Sequence, residues 1–305
     1  MSLFTKKHIH AFGIDISDSS VKVMLLKSDG KKIRPQSFNA NIFPRGIVVK
    51  DVIENEEKLT EIIKKTLSTA KPHPITIPYV IASLPESKSF IRTVDLPPMQ
   101  KPEIENAVKW EAEQHIPLSI DQVYLDWKIL NGQEKQNKPS FFSKKENENE
   151  KPHKVFLTAS PKVTVDPIVK VLKKCRLQPI ALEVESLSTT RSVISKDLEN
   201  KTVMIADLGT NKTSFILFEN SILKFTSSTS TAGVDITRNI MKRTGLNFDD
   251  AEKAKIETGF SSEQKPEIFE AEIEVLKKIT DEIKNTIKFY KEYDNGKKDI
   301  DRILL

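Results

Sequence analysis

The chain has little of what marks a secreted, membrane-spanning or metal-binding protein. Among its 305 residues there is one cysteine, Cys175, which excludes an intramolecular disulfide framework. No run approaches the roughly 18 apolar residues that a spanning helix needs, and the basic start, Met1–His10, lacks the apolar stretch of a secretory signal. The histidines lack metal-site spacing. We therefore expect a cytoplasmic protein in which Cys175 is a buried structural thiol.

The chain also lacks a strong excess of positive or negative charge. The 48 Lys and Arg residues nearly balance the 43 Asp and Glu residues, with a formal net charge of +5. The two signs alternate along segments such as Glu56–Lys65 and Glu270–Lys278. Nucleic-acid binders usually concentrate basic residues on one face, so we expect solvated helix surfaces and no nucleic-acid partner. The length favours two domains.

Two short turns are the most informative feature that is present. Asp15–Ser20 and Asp207–Thr213 each follow an apolar run of β type and precede another strand. A turn of this kind, headed by aspartate and rich in hydroxyl groups, presents N–H donors to a phosphate chain, and the aspartate can hold Mg²⁺ through water. One such turn is weak evidence, because similar turns occur in hairpins that bind nothing. The pair indicates a duplicated fold that clamps a nucleotide from both sides.

The periodicity of the chain predicts three parts. Residues 1–80 form a strand meander and a helix at Glu56–Thr69, and about 181–200 complete this first part. Residues 81–180 form an inserted α+β subdomain. Within it, the polar stretch Asn131–Lys154 is expected to be a flexible hairpin tip, in which Phe141–Phe142 is more simply an incidental pair. Residues 201–305 repeat the opening pattern and include a long helix near Ile273–Tyr290.

Several segments resemble the actin-like ATPase superfamily and, within it, the PilM family of type IV pilus assembly. The segments are Gly13–Lys22, Val94–Pro97, Ala107–Pro117, Val123–Trp127, the Asp207 turn, Ala232–Arg238 and Ala251–Lys255. The Glu-Ala-Glu-Gln run at Glu111–Gln114 is the most specific of them. The resemblance covers essentially the whole chain. It implies an α/β, actin-like (ribonuclease H-like) duplicated fold with the inserted α+β subdomain, its last strand and helix unit truncated.

The resemblance also implies a site for ATP and Mg²⁺. Asp15 and Asp207 would face each other across a cleft and orient Mg²⁺, through water, on the phosphates. The other implied phosphate contacts are Ser17, Ser19, Ser20, Lys22, Gly209, Thr210 and Asn211. Gly233, before a helix start, would aim amide donors at a phosphate or ribose. No catalytic residue is assigned: Glu183 and Glu185 are weak candidates, and Glu185 is more simply a helix-start residue.

The chain departs from the family pattern in two places. Ser17 stands where the family commonly has glycine, which leaves less room for the backbone to approach a phosphate. The family's adenosine-binding segment would begin beyond Leu305. Either the sequence is truncated there, or nucleotide affinity is weak or lost. We expect weak or no ATPase activity.

For partners, the resemblance implies a cytoplasmic scaffold held at the inner face of the cytoplasmic membrane by other proteins of the pilus complex. It implies that a groove between the first and inserted subdomains binds the N-terminal cytoplasmic peptide of PilN, as an extended chain. The sequence does not identify the groove residues. An FtsA-like cell-division protein and a small-molecule kinase of the same superfamily are the alternatives. The kinase ranks low because the Asp29–Gly30 hairpin is minimal.

Overall fold

The computed structural model describes residues 10–30, 32–130, 152–261, 265–293 and 299–305. The chain divides into two compact units, Met1–Ser188 and Thr189–Leu305, and each is considered by itself. Most of the predicted hairpin tip, including Phe141–Phe142, lies outside the described residues. In the described part of the chain, no helix is both long and apolar enough to cross a membrane.

The first unit is built around a five-stranded sheet and a three-stranded sheet. Its elements, in chain order, are β1 (Phe12–Ile16), β2 (Ser20–Ser28), β3 (Ile33–Ile42), β4 (Val48–Val49), β5 (Val52–Ile53), α1 (Glu56–Ser68), β6 (Tyr79–Leu84), β7 (Phe90–Leu96), α2 (Lys101–His115), β8 (Val123–Ile129), β9 (His153–Pro161), α3 (Lys162–Lys174), β10 (Gln178–Val184) and α4 (Glu185–Val193). A short 3-10 turn, Glu86–Lys88, connects β6 to β7.

The five-stranded sheet has the order β10-β6-β1-β2-β3. Strands β1 to β3 form an antiparallel meander, and β6 and β10 extend the sheet in parallel beyond β1. Alternate residues of β2, such as Val21 and Val23, enter a core that also contains Leu59 of α1 and Leu172 of α3. Cys175 is buried in this core, and burial raises the pKa of its thiol to about 11.

The three-stranded antiparallel sheet has the order β7-β9-β8 and carries α2 on one face. Ile104 and Val108 of α2 pack against Val94 and Leu157 of the sheet. Helix α3 and strand β10 belong instead to the five-stranded sheet and its core. The inserted part with its own sheet therefore runs from β7 to β9, a narrower span than the predicted 81–180. The periodicity gave no sign of which sheet α3 covers.

The second unit repeats the arrangement with four strands, in the order β13-β12-β11-β14. Its elements are β11 (Thr202–Leu208), β12 (Thr213–Glu219), β13 (Ile222–Thr229), α5 (Gly233–Thr244), α6 (Phe248–Thr258), α7 (Pro266–Tyr293) and β14 (Arg302–Leu304). An antiparallel meander is again joined by a parallel strand beside its first strand. The recurrence of this strand order in both units is the duplicated, ribonuclease H-like architecture of the actin-like fold, which confirms the predicted fold class.

Candidate functional site

The first predicted phosphate turn is closed by its own serines. Ser17 N donates to Ser20 O at 2.9 Å, and the two hydroxyl oxygens are 3.0 Å apart. Ser20 N also donates to Ser17 Oγ at 3.2 Å. A glycine at position 17 would leave the Ser20 amide without a side-chain acceptor. Ser17, in place of the family's glycine, therefore stabilises the turn with an additional hydrogen bond.

Asp15, the penultimate residue of β1, has both carboxylate oxygens near partners. Ser83 Oγ donates to Asp15 Oδ1 at 2.7 Å, and Lys22 Nζ lies 3.7 Å from Oδ2. Ser83 was not predicted as a site residue. Its position follows from the parallel register in which Ile14 pairs with Ala82, because Asp15 and Ser83 are the next residues along their strands. The half-exposed carboxylate is therefore oriented by a hydroxyl and placed beside a cation.

Asp18, between the serines of the same turn, binds protein backbone. Its carboxylate accepts the N–H groups of Lys50 at 3.1 Å and Asp51 at 2.9 Å. Both residues have left-handed backbone conformations, with φ values of 49° and 65°. They form the turn between β4 and β5. Because non-glycine residues seldom adopt this conformation, the Asp18 carboxylate stabilises a strained hairpin turn.

The second turn requires glycine for a steric reason. Gly209 N donates to Lys212 O at 2.9 Å, and a Cβ at position 209 would lie only 2.8 Å from that same carbonyl oxygen. Asp207, the penultimate residue of β11, is exposed, as are Thr210 and Asn211. The turn therefore presents one carboxylate and two polar side chains to solvent on a backbone that only glycine can close.

The start of α5 packs on this turn. Gly233 N donates to Gly209 O at 3.0 Å, and Val234 N donates to Thr210 O at 2.8 Å. Both amides are thus engaged inside the unit. Gly233 as a contact to phosphate or ribose stays a prediction, and its own amide is already used by the turn carbonyl.

A cation that the sequence interpretation did not select lies beside the same helix start. Lys255 Nζ donates to Gly233 O at 3.3 Å, to Thr237 Oγ1 at 3.0 Å and to Glu252 Oε2 at 2.7 Å. Partial burial opposes ionisation of Glu252, but the hydrogen bonds from Lys255 and Thr237 hold its pKa below the ordinary value. The Glu-x-x-Lys spacing on α6 was the available signal.

The weak catalytic candidates are Glu183 in β10 and Glu185 at the start of α4. Glu185 Oε2 accepts the N–H of Glu86 at 3.5 Å, and Ser186 N donates to Glu86 Oε2 at 3.4 Å. This reciprocal pair ties the 3-10 turn to the first residues of α4. The geometry gives Glu185 the structural, helix-start position.

Among the described side chains, no three or more of His, Cys, Asp or Glu come together as a metal site would require. Asp15 and Asp207 as Mg²⁺ ligands through water stay a prediction.

The two edge strands of the three-stranded sheet, β8 and β7, differ in whether a side chain accepts an outward-pointing backbone N–H. In β8, Asp126 Oδ1 accepts the N–H of Trp127 at 2.9 Å. The edge strand β3 is protected in the same way, because Asn39 Oδ1 accepts the N–H of Ala40 at 2.9 Å. Such caps suppress pairing with another chain. Within the described ranges no side chain caps the other edge, β7, in this manner.

A family model covers nearly the whole chain, and solved structures share its fold. The family model described as "Type IV pilus assembly protein PilM" matches residues 13–305. A chain of the solved PilM-PilN type IV pilus biogenesis complex is 22% identical, with a TM-score of 0.74, covering 93% of this chain and 78% of that one. The ethanolamine utilization protein EutJ from Carboxydothermus hydrogenoformans is 11% identical, with a TM-score of 0.55, covering 92% and 72% respectively.

One curated relative is the cell division protein FtsA of Buchnera aphidicola subsp. Baizongia pistaciae. It is 29% identical over 109 residues, which is 36% of this chain and only 26% of the length of that protein. The PilM model, by contrast, runs through both aspartate turns and the inserted sheet to the last residue. The chain belongs to the PilM family of type IV pilus assembly proteins.

Proposed function

We propose that this chain is a nucleotide-binding scaffold of type IV pilus assembly, which holds the N-terminal cytoplasmic peptide of a PilN-type membrane protein. The observation that carries the proposal is the family match over residues 13–305, which includes both aspartate turns and the inserted sheet. The scaffold works in the cytoplasm, at the membrane surface, through its partners. Other proteins of the inner-membrane pilus complex bind it in turn.

The first turn fits the phosphates and Mg²⁺ of ATP. Asp15 supplies a half-exposed carboxylate for a metal-bound water, and Lys22 supplies a cation beside it. Ser17, Ser19 and Ser20 add hydroxyl groups, all of intermediate exposure. The second turn contributes Asp207, Gly209, Thr210 and Asn211 in the same manner. ATP with Mg²⁺ supplies the negative charge that these donors neutralise.

We propose that nucleotide acts on conformation more than it is turned over. ATP hydrolysis needs a group that positions water near the γ-phosphate. The candidate Glu185 is engaged with the backbone of Glu86. A coupled assay that finds multiple turnovers per minute would contradict this part of the proposal.

A titration with fluorescent ATP and Mg²⁺ tests the nucleotide site. Asp15→Ala is expected to weaken binding at least about tenfold, the effect of one lost charge-assisted contact of roughly 1.4 kcal/mol. Asp29→Ala is the control, because Asp29 follows the opposite end of β2, where its carboxylate accepts the N–H of Lys32. The absence of binding by the unchanged chain, or equal binding by Asp15→Ala, would contradict the site.

For the peptide, the open edge of β7 supports pairing with an extended chain. Leu130 N donates to Lys154 O at 2.8 Å, so the backbone groups of Lys154 point to β8. Alternation along an antiparallel strand then directs those of Val155 to β7, where Val155 pairs with Val94. The neighbouring Thr93 therefore directs its N–H away from the sheet. Strand β7 is an edge of the inserted sheet, the part that forms one side of the predicted groove.

This orientation gives a pair of variants that separate main-chain pairing from side-chain packing. Thr93→Pro removes the outward N–H and leaves the bonds to β9 in place, as prolines in edge strands do. Thr93→Val keeps the N–H and the shape. We expect micromolar or tighter binding of a PilN-type peptide by the unchanged chain and by Thr93→Val, and at least about tenfold weaker binding by Thr93→Pro.

Thermal unfolding of both variants confirms that each is folded before calorimetry. No detectable binding of the peptide by the unchanged chain would contradict the assignment of a PilN-type partner. If Thr93→Pro binds the peptide as tightly as the unchanged chain, the peptide does not pair with the edge of β7.

An FtsA-like role in cell division is the second candidate, and the FtsA match over 109 residues favours it. It predicts that a cytoplasmic peptide of a division protein binds the chain and that a PilN-type peptide does not. The same calorimetric comparison therefore decides between the two roles.

A further inference from the structure

The first phosphate turn is connected to the start of β7 by side chains that are assigned to neither proposed ligand. The connection has three members, called here the hairpin relay: Asp18 in the turn, the Lys50–Asp51 corner of the β4–β5 hairpin, and Ser87 in the 3-10 turn before β7. Asp18 accepts the two corner amides, and Ser87 Oγ donates to Asp51 Oδ2. None of the three was predicted as a functional residue.

The corner depends on Asp18 for its conformation. Lys50 and Asp51 both lie in the left-handed region, which non-glycine residues occupy at a cost unless the surroundings compensate. The Asp18 carboxylate supplies that compensation with two charge-assisted bonds. Strands β4 and β5 have two residues each and are anchored in the core at Val48, so the part of the hairpin that can follow a displacement of Asp18 is the Lys50–Asp51 corner.

The 3-10 turn is held from two sides. Ser87 binds the hairpin corner, and the neighbouring Glu86 is paired with the first residues of α4. Glu86 is buried, whereas Ser87 is exposed. The bond from Ser87 is therefore the more exposed of the two attachments of this turn, and β7 begins three residues beyond Ser87.

We propose that the hairpin relay couples nucleotide at the first turn to peptide at β7. Asp18 lies between Ser17 and Ser19, so phosphate binding there fixes the position of its carboxylate. The corner follows Asp18, and Ser87 transmits that position to the residues that precede β7. The inference rests on the proposed function, because it takes both ligands from it.

Coupling of this kind is reciprocal and measurable as a ratio. The probes are the PilN-type peptide and Mg²⁺ with the non-hydrolysable analogue AMPPNP, titrated calorimetrically into the full chain. In the unchanged chain, saturating AMPPNP is expected to change the Kd of the peptide by about fivefold, the low end of typical couplings. The peptide must change the Kd of AMPPNP by the same factor.

Ser87→Ala breaks the relay at a residue that contacts neither ligand. We expect it to bind each ligand alone with nearly unchanged affinity and to lower the ratio to about one. Ser87→Thr keeps the hydroxyl and should keep the ratio. Ser68→Ala, which removes an exposed hydroxyl bonded only within α1, is the matched control and should also keep it.

The outcomes distinguish the relay from the function on which it rests. If the unchanged chain fails to bind AMPPNP or the peptide, the proposed function itself is wrong, and the relay with it. If both ligands bind and the ratio is one, or if Ser87→Ala keeps the ratio, the relay is overturned while the function stands.

Discussion

Gly209 gives the sharpest prediction at the scale of one residue. A Cβ there would lie 2.8 Å from Lys212 O, and backbone on both sides of the contact must move to relieve it. We expect Gly209→Ala to lower the free energy of unfolding of the second unit by about 1–3 kcal/mol, measured by urea denaturation. Gly13→Ala is the control, because its nearest contact would be an ordinary 3.8 Å. Equal effects of the two changes would contradict the steric argument.

Glu272 gives a prediction with a pH dependence. Its side chain is 1% exposed, and Oε2 has no hydrogen-bond partner among the described residues. Burial raises the pKa of this carboxyl above its ordinary 4.5, against the attraction of Lys255. The folded state therefore binds more protons than the unfolded state in the window above 4.5. Stability from this group falls as the pH rises through that window.

Glu272→Met removes the buried carboxyl, and we expect it to stabilise the chain by about 1–3 kcal/mol at neutral pH. The gain should shrink when denaturation is repeated below pH 4.5, the ordinary pKa. Glu274→Met is the control on the same helix: Glu274 accepts from Asn239 and Arg243, so its loss should be mildly destabilising. A destabilised Glu272→Met at neutral pH would show that the carboxylate is compensated.

Residue types at the turns were predictable, but their partners were not. Asp15 and Gly209 are indicated by the strand–turn–strand pattern. Ser83 and the Lys50–Asp51 corner reach the first turn from positions 68 and about 32 residues away in the chain. Only the strand register and the hairpin path bring them there. Single-sequence patterns contain neither, so the sequence could not show that Asp18 binds backbone.

At the scale of elements, periodicity predicted the long and strongly patterned ones. Helix α1 begins at the predicted Glu56 and ends one residue before the predicted Thr69. The β4–β5 hairpin was missed because its strands have two residues each and its corner lacks the Asn-Gly or Asp-Gly signal. Helix α7 begins at Pro266, before the predicted Ile273, where proline is favoured in the first turn.

The starts of α1 and α6 give a prediction at the element scale. Asn55 Oδ1 accepts the N–H of Lys58, and Asn247 Oδ1 accepts the N–H of Asp250, each at 2.9 Å. Each bond satisfies an amide that the first helical turn leaves without a backbone acceptor. We expect Asn55→Ala and Asn247→Ala each to cost about 1 kcal/mol, measured by denaturation, whereas Asn55→Asp should be nearly neutral. A loss from Asn55→Asp as large as that from Asn55→Ala would contradict capping.

At the scale of the whole molecule, the same two caps report on cooperativity. Asn55 lies in the first unit and Asn247 in the second, and the main cores of the two units share no residue. Chains with separate cores commonly unfold in more than one step. We therefore expect calorimetry to resolve two transitions, with Asn55→Ala lowering one midpoint and Asn247→Ala the other, each by about 2–5 °C. A single transition that both substitutions shift equally would mean that the units unfold together. In that case ligand binding to either unit would stabilise the whole chain, because a ligand that binds only the folded state stabilises whatever unfolds with it.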